Sequence, residues 1–288
     1  LPVFDVVLLS LADGAAGGCA NAAPRVPVLT CRDALVAGGA TVETVTAGSD
    51  GEIDDVLARA EARLIVAAAT DGQLRAVVRR MIRRYAPKPG QRPDDLPADR
   101  TLPDLPAIGV LPLSPVDLVT RLGLPDDPAK VAAAVLGGQS RRLDLLRNDG
   151  GSATLHGTLF GGSDEAGRAV PFAARIEVDD AVLADGAEAL LAATIANAGG
   201  YSSFDGLPLA PRADATDGVL DVGVALSVTV GRWPRRRETR VEVRRARGRA
   251  VAVHPRAEVP FVDDGVAGTL GGKRTWWMER GAWAVYTT

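Results

Sequence analysis

Cysteine and histidine are scarce: the chain has two of each, Cys19 and Cys31, His156 and His254. Two cysteines cannot build a disulfide framework. One Cys19–Cys31 bridge and two free thiols both stay open, and free thiols suit the cytoplasmic location expected here. The histidines stand far apart with no Cys or His at ligand spacing, which argues against a zinc site. Lysine is nearly missing, a bias that fits a GC-rich coding background better than a function. Long apolar runs are missing too. Phe4–Leu9 and Leu64–Ala69 fall far short of the roughly 20 residues that a membrane-crossing helix needs. No basic region precedes the first apolar run, so no secretory leader is expected. The net charge of −3 provides no global field for nucleic acid, which is therefore not an expected partner.

What is present is enough for two domains. The chain has 288 residues, 47% of them hydrophobic, so a sizeable core can form. Strand-like runs at Phe4–Leu9, Thr41–Thr46, Leu64–Ala68 and Ile108–Leu111 alternate with helical patterns. The helices are expected over Leu29–Ala37, from a Ser49-Asp50 cap to about Glu61, over Leu74–Tyr85, Asp117–Leu122 and Pro128–Leu136. This alternation predicts an open parallel α/β sheet. Residues 86–106 hold six prolines and read as a mobile surface loop. From Arg142 onward short strand-like runs alternate with turns, which predicts an antiparallel β domain. The expected domains are 1–140 and 141–288.

Three stretches carry candidate chemistry. Ala210–Val222 (APRADATDGVLDV) places Asp214 and Asp217 three residues apart, ahead of Gly218. An Asp-Gly pair is a strong hairpin signal, and a polar turn is one reading. The same turn also lets two carboxylates and a carbonyl converge as a hard divalent cation requires. Arg232–Arg249 is the only dense basic run. It reads either as a solvated hairpin, with Val241 and Val243 inward, or as a docking strip for anionic lipid at a peripheral membrane contact. Trp276, Trp277, Trp283 and Tyr286 read as core caps, with ligand stacking as the alternative.

Four segments, taken together, point further: IVAAATDGQLRAVV from Ile65, IGVLPLSPVDLVTRLG from Ile108 (extending to Leu145), ATIANAGGYSSFDGLPLAPRADATDGVLDV from Ala193, and FVDDGVAG from Phe261. They resemble the diacylglycerol kinase catalytic-domain family, which takes in bacterial lipid kinases, sphingosine kinases and, more distantly, NAD kinases. The resemblance runs from about residue 60 to the end; before that only the strand–helix pattern fits. It implies an N-terminal open parallel α/β domain and a C-terminal antiparallel β-sandwich, with the last strands, about 270–288, returning to the first domain. It also implies ATP as cofactor, with Thr70, Asp71, Gly72, Gln73, Ser114 and Asp117 at the nucleotide, and Asp264 as catalytic base. Asn197 and Tyr201 fall at the substrate cleft. Asp214, Asp217 and the carbonyl of Val219 match the positions that hold a magnesium ion, read as structural. The acceptor would be a lipid or small-molecule hydroxyl, and an oligomer is compatible with all of this.

The match is uneven. The family's GGDGT is Ala69-Thr70-Asp71-Gly72-Gln73 here, and its GTGND is Ser114-Pro115-Val116-Asp117-Leu118. Its first-strand NP-x-[SG] motif is absent, with Ser10–Gly14 in that region. In its DGE segment Asp264-Gly265 survives but the Glu position is Val266, and Asp263 is expected to face away from Asp264. The helical insertion expected between Phe160 and Arg175 is cut to about a dozen residues, which would give a long acyl chain less cover. Three readings follow: an ATP-dependent phosphotransferase using Asp264, a catalytically inactive pseudokinase with a binding or regulatory role, or a cleft repurposed for other small-molecule chemistry.

Overall fold

The computed structural model describes residues 5–12, 25–59, 62–88, 90–230 and 238–288, without the side chains of 229, 230, 238 and 239. Phe4, Asp13, Gly14, Cys19 and the Arg232–Arg237 part of the basic run lie outside the described residues. The chain groups into two compact units: Leu1–Leu143 with Gly281–Thr288, and Asp144–Arg280.

The first unit is a parallel sheet in the order β2–β1–β3–β4, from β1 (Val6–Leu11), β2 (Val42–Ala47), β3 (Arg63–Ala68) and β4 (Ala107–Pro112). The end of the last strand pairs in parallel with β4, Ala284 opposite Ala107 and Val285 opposite Ile108. Val6–Leu9 and Ile65–Ala68 are buried without interruption, as expected where helices cover both faces of a parallel sheet. Those helices are α1 (Val26–Ala37), α2 (Asp50–Leu57), α3 (Asp71–Tyr85), α4 (Asp117–Arg121) and α5 (Pro128–Gly137). Val28, Cys31 and Leu35 of α1 pack with Val131, Ala132 and Val135 of α5 over Val6, Leu8 and Ile65. Each fully buried aliphatic side chain of this kind contributes about 1.5–3 kcal/mol. Gly109 permits the close approach of α5, since a Cβ there would sit 2.7 Å from Val135 Cγ2. Burial pushes the Cys31 thiol up to about 11, so it acts as core filler.

The proline-rich segment is the surface loop expected, without helix or strand among its described residues, and it is tied down within this unit. Arg92 donates to the carbonyls of Arg100 (2.7 Å), Leu96 (3.1 Å) and Pro97 (2.5 Å). Leu102 and Leu105 are fully buried and Leu96 nearly so. Three apolar anchors offset the ordering cost that six rigid prolines already reduce.

The second unit begins within β5 (Ser140–Asn148). Its larger sheet runs β16–β15–β12–β7–β18–β19, all antiparallel. These strands are β7 (Gly157–Phe160), β12 (Leu190–Ala196), β15 (Leu220–Val230), β16 (Glu238–Gly248), β18 (Val259–Asp263) and β19 (Val266–Leu270). The facing sheet joins β11 (Ala181–Asp185), β10 (Ala174–Val178), β17 (Ala250–Pro255) and the first part of β20 (Arg274–Tyr286). Short pairs complete it: β6 (Ala153–Thr154) on β5, β8 (Gly162–Ser163) with β9 (Ala169–Val170), and β13 (Ser203–Phe204) with β14 (Leu207–Pro208). Phe160, Ile195, Val222 and Val224 meet Ile176, Val178, Val251, Val253 and Trp276 in one core, which makes this unit a β-sandwich. Phe160 and Trp276 meet edge to face at 5.5 Å. Val241 and Val243 of β16, expected inward, lie instead on the outer face of that sheet against Leu209 and Ala225, because their ladder partners alternate with the core-facing Val222 and Val224. Only the β8–β9 hairpin bridges β7 and β10.

Candidate functional site

In the first unit the turn after β3 and the turn after β4 come together. Thr70 caps α3, its Oγ1 accepting from Gln73 N–H at 3.2 Å. Gln73 reaches back, and its Oε1 accepts from Ala69 N–H at 2.7 Å, a reciprocal closure of the capping-box type. Ser114 Oγ donates to the Ala69 carbonyl at 2.5 Å, and Asp71 Oδ1 accepts from Leu118 N–H at 3.3 Å. Thr70, Asp71, Gly72, Gln73 and Ser114 therefore share one locus, with the exposed Asp117 beginning α4 beside it. A phosphate cradle needs free backbone donors that point outward. Here the Ala69 and Leu118 amides are turned to a side-chain amide oxygen and a carboxylate of the same chain. Two of the donors at this turn are thus already engaged within the chain.

In the second unit Asp264 lies in the β18–β19 turn, with a positive φ of 48°. Its carboxylate is fully buried and accepts three backbone amides: Leu155 at 2.7 Å, His156 at 2.9 Å and Gly157 at 3.1 Å. Burial and the neighbouring Asp263 push its pKa up to about 7, against the opposing pull of those three amides. Asp263 is buried too, accepting from the hydroxyls of Thr154 at 2.7 Å and Thr158 at 3.0 Å. The expectation that Asp263 faces away from Asp264 is corrected. Strand alternation ends at Asp263, and the left-handed turn brings both carboxylates to the β6–β7 segment.

Tyr201 donates to the Val262 carbonyl at 2.9 Å and meets His156 edge to face at 4.8 Å. Burial and the charges of Asp264 and Asp263 raise the pKa of its hydroxyl. Gly157 makes room for that ring, since a Cβ would lie 2.6 Å from Tyr201 Cδ1. Asn197, fully buried, donates through Nδ2 to the carbonyls of Asp144 (2.9 Å) and Leu155 (2.8 Å). Asp264, Tyr201 and Asn197 thus share one neighbourhood with His156, Thr154 and Thr158. The sequence reading weighed His156 only as a zinc ligand, and its position inside the ATLHGT strand run was the available signal. A carboxyl poised near neutrality suits proton abstraction, but both of its oxygens are occupied by main-chain donors.

The Asp214–Asp221 loop is also self-satisfied. Asp214 Oδ1 accepts from Thr216 N–H (3.0 Å) and Oγ1 (2.7 Å), and Asp217 Oδ1 accepts from Val219 N–H at 3.1 Å. Asp217 Oδ2 pairs with Arg247, whose Nε also donates to Asp221 at 3.0 Å. Magnesium demands a near-octahedral shell of oxygens. Among the described residues no group of three or more Asp, Glu, His or Cys could hold a metal ion; in this loop Asp217 Oδ2 is taken by Arg247.

The described half of the basic run is likewise engaged. Arg244 pairs with Glu242 and Glu188, Arg245 donates to the carbonyls of Leu209 and Pro208, and Arg247 serves the acidic loop. Among the described residues no helix is long and apolar enough to cross a membrane.

The family model of the diacylglycerol kinase catalytic domain matches residues 15–148. It reaches back into the segment where only pattern was legible and stops before the sandwich. None of the curated proteins matches the chain. Among solved structures, a diacylglycerol kinase from Bacillus anthracis str. Sterne shares 14% identity with a TM-score of 0.66, covering 100% of this chain and 98% of that one. Two putative diacylglycerol kinases of the same organism give 15% identity with a TM-score of 0.68 and 14% with 0.67, each covering 100% of this chain and 99% of the other. Residues 15–148 thus match the diacylglycerol kinase catalytic-domain model, and the fold of the chain is similar to that of these solved structures along its whole length.

Proposed function

We propose that this protein keeps the diacylglycerol kinase fold for a binding or regulatory role and does not turn over ATP. The observation that carries this reading is the closure of the phosphate turn: Ala69 N–H is held by Gln73 Oε1, while Asp71 holds Leu118 N–H. A phosphate would have to displace an intramolecular acceptor from each amide and approach the Asp71 carboxylate. Phosphoryl transfer depends on positioning and charge stabilisation, and each lost donor of that kind costs roughly 10²–10³ in rate. The test is the melting temperature of the full chain under titration with ATP and Mg²⁺. A ligand present at 100 times its Kd adds about 2.7 kcal/mol of stability. We expect no shift at millimolar ATP; a saturable rise overturns the reading.

One observation favours the second reading, an ATP-dependent phosphotransferase acting on a lipid or small-molecule hydroxyl. Burial and the neighbouring Asp263 raise the Asp264 pKa toward the range where a general base works best. Its complete burial and its three amide partners weigh against it. If ATP does bind, transfer to lipid and soluble alcohols by Asp264→Asn decides the matter, since activity that survives removes Asp264 as the base. The short β7–β10 connection supports a small hydroxylated ligand over a long acyl chain in either reading.

A further inference from the structure

We infer that Arg247 is a built-in cation that takes the place of a divalent ion at the Asp214–Asp221 loop, so that the second unit holds this loop without metal. Three observations meet here. Arg247 stands directly opposite Asp221 in the β15–β16 ladder, so the strand register delivers its guanidinium to the acidic loop without a long reach. It contacts two carboxylates at once, Asp217 through Nη2 and Asp221 through Nε at 3.0 Å. The planar fork of a guanidinium suits such bridging, and unlike an ammonium it is weakly hydrated. Several of the other oxygens here already accept hydrogen bonds from the loop's own groups. Asp217 Oδ1 takes the Val219 amide, Asp214 Oδ1 takes Thr216, and Gly218 N–H donates to Asp144 Oδ2 at 2.6 Å.

The pairing also answers an electrostatic problem. Asp221 is largely buried beside Asp217, and Arg247 reaches both carboxylates. Two carboxylates this close need a positive partner to stay ionised together. In a metal-holding loop the ion supplies that charge and its release is set by concentration. With Arg247 the charge is covalently part of β16 and always present.

The test is thermal unfolding of the full chain without nucleotide, in EDTA and in millimolar Mg²⁺ or Mn²⁺, with Mn²⁺ binding followed by electron paramagnetic resonance. The wild-type protein is expected to melt at the same temperature in both media and to bind no Mn²⁺ tightly. Arg247→Gln is expected to melt lower in EDTA, by about 2–4 °C for each kcal/mol lost in a chain of this size. Saturable Mn²⁺ binding to the wild type, with a rise in melting temperature that Asp217→Asn abolishes, overturns the inference. So does an Arg247→Gln variant that melts with the wild type. If that variant fails to fold, the wild-type arm still decides. Nucleotide is absent throughout, so the outcome is independent of whether the phosphate turn accepts ATP.

Discussion

Two turns of this chain meet opposite charge problems with the same device. After β3 the exposed groups are backbone donors, and the chain supplies an acceptor, Gln73, to the Ala69 amide. Before β15 the exposed groups are carboxylates, and the chain supplies a donor, Arg247. In one case a side-chain acceptor meets backbone donors, in the other a side-chain donor meets carboxylates. The difference lies in distance along the chain. Gln73 is four residues from its partner, whereas Arg247 is thirty from Asp217 and arrives only when β15 and β16 pair. A local closure can open by rotating one side chain. A closure carried by a strand ladder opens only if the ladder does. The turn after β3 is therefore the easier of the two to open.

The sharpest way to break the comparison is at a third self-closed turn, where one carboxylate serves three amides. Asp264→Ala leaves the Leu155, His156 and Gly157 donors buried without their acceptor and puts alanine at a left-handed φ of 48°. An orphaned buried donor costs about 1–3 kcal/mol. The expected loss is several kcal/mol in urea unfolding, larger than for either of the other turns. A loss within about 1 kcal/mol would mean that water replaces the carboxylate and that this turn is open.

The same residue gives a pH signature of unusual sign. The folded protein holds the Asp264 proton more tightly than the unfolded chain does, with a folded pKa near 7. Its contribution to stability is complete below the ordinary carboxylate range near 4 and is lost as pH rises through about 7. Paired surface carboxylates do the reverse. Between those limits this group makes stability fall as pH rises. Urea unfolding at pH 5 and pH 8 should show that slope in the wild type and a flatter one in Asp264→Asn. An equal slope in both would assign the proton to another group.

How much of this was legible beforehand follows from the same contrast in distance. Unbroken runs such as VVLL and IVAA announce β1 and β3 because both faces of a parallel strand are buried. Ser49 and Asp127 each accept amides as helix caps, and both signals are local. Helix α3 begins at Asp71, three residues before its apolar period starts at Leu74. The Thr70 and Gln73 closure that extends it was readable as T-x-x-Q, but the resemblance drew attention to the missing glycines instead. The prolines made the segment at 86–106 legible as a loop, and its leucines were the part left unread. Leu96, Leu102 and Leu105 were the signal of an anchored loop. The Asp264 amides could not have been read at all, because His156 lies 108 residues away and meets Asp264 only through the pairing of β7 with β18.

The smallest expected effect is also the one that bears most directly on function. Gln73→Ala frees the Ala69 amide at a partly buried position, and an ordinary hydrogen bond of this kind contributes about 0.5–1.5 kcal/mol. Thr70→Ala removes the companion cap for about 1 kcal/mol. The two side chains close one turn, so the double variant should cost less than the sum, and a double-mutant cycle in urea measures the shortfall. Stability alone does not distinguish a helix cap from a plug in an anion site. Inorganic phosphate does: if Gln73 stands in for an anion, Gln73→Ala should gain a melting shift in phosphate that the wild type and Thr70→Ala lack. If neither variant responds, the Asp71 carboxylate, still held at the Leu118 amide, is what keeps anions out, and Asp71→Asn in the Gln73→Ala background becomes the variant that should respond.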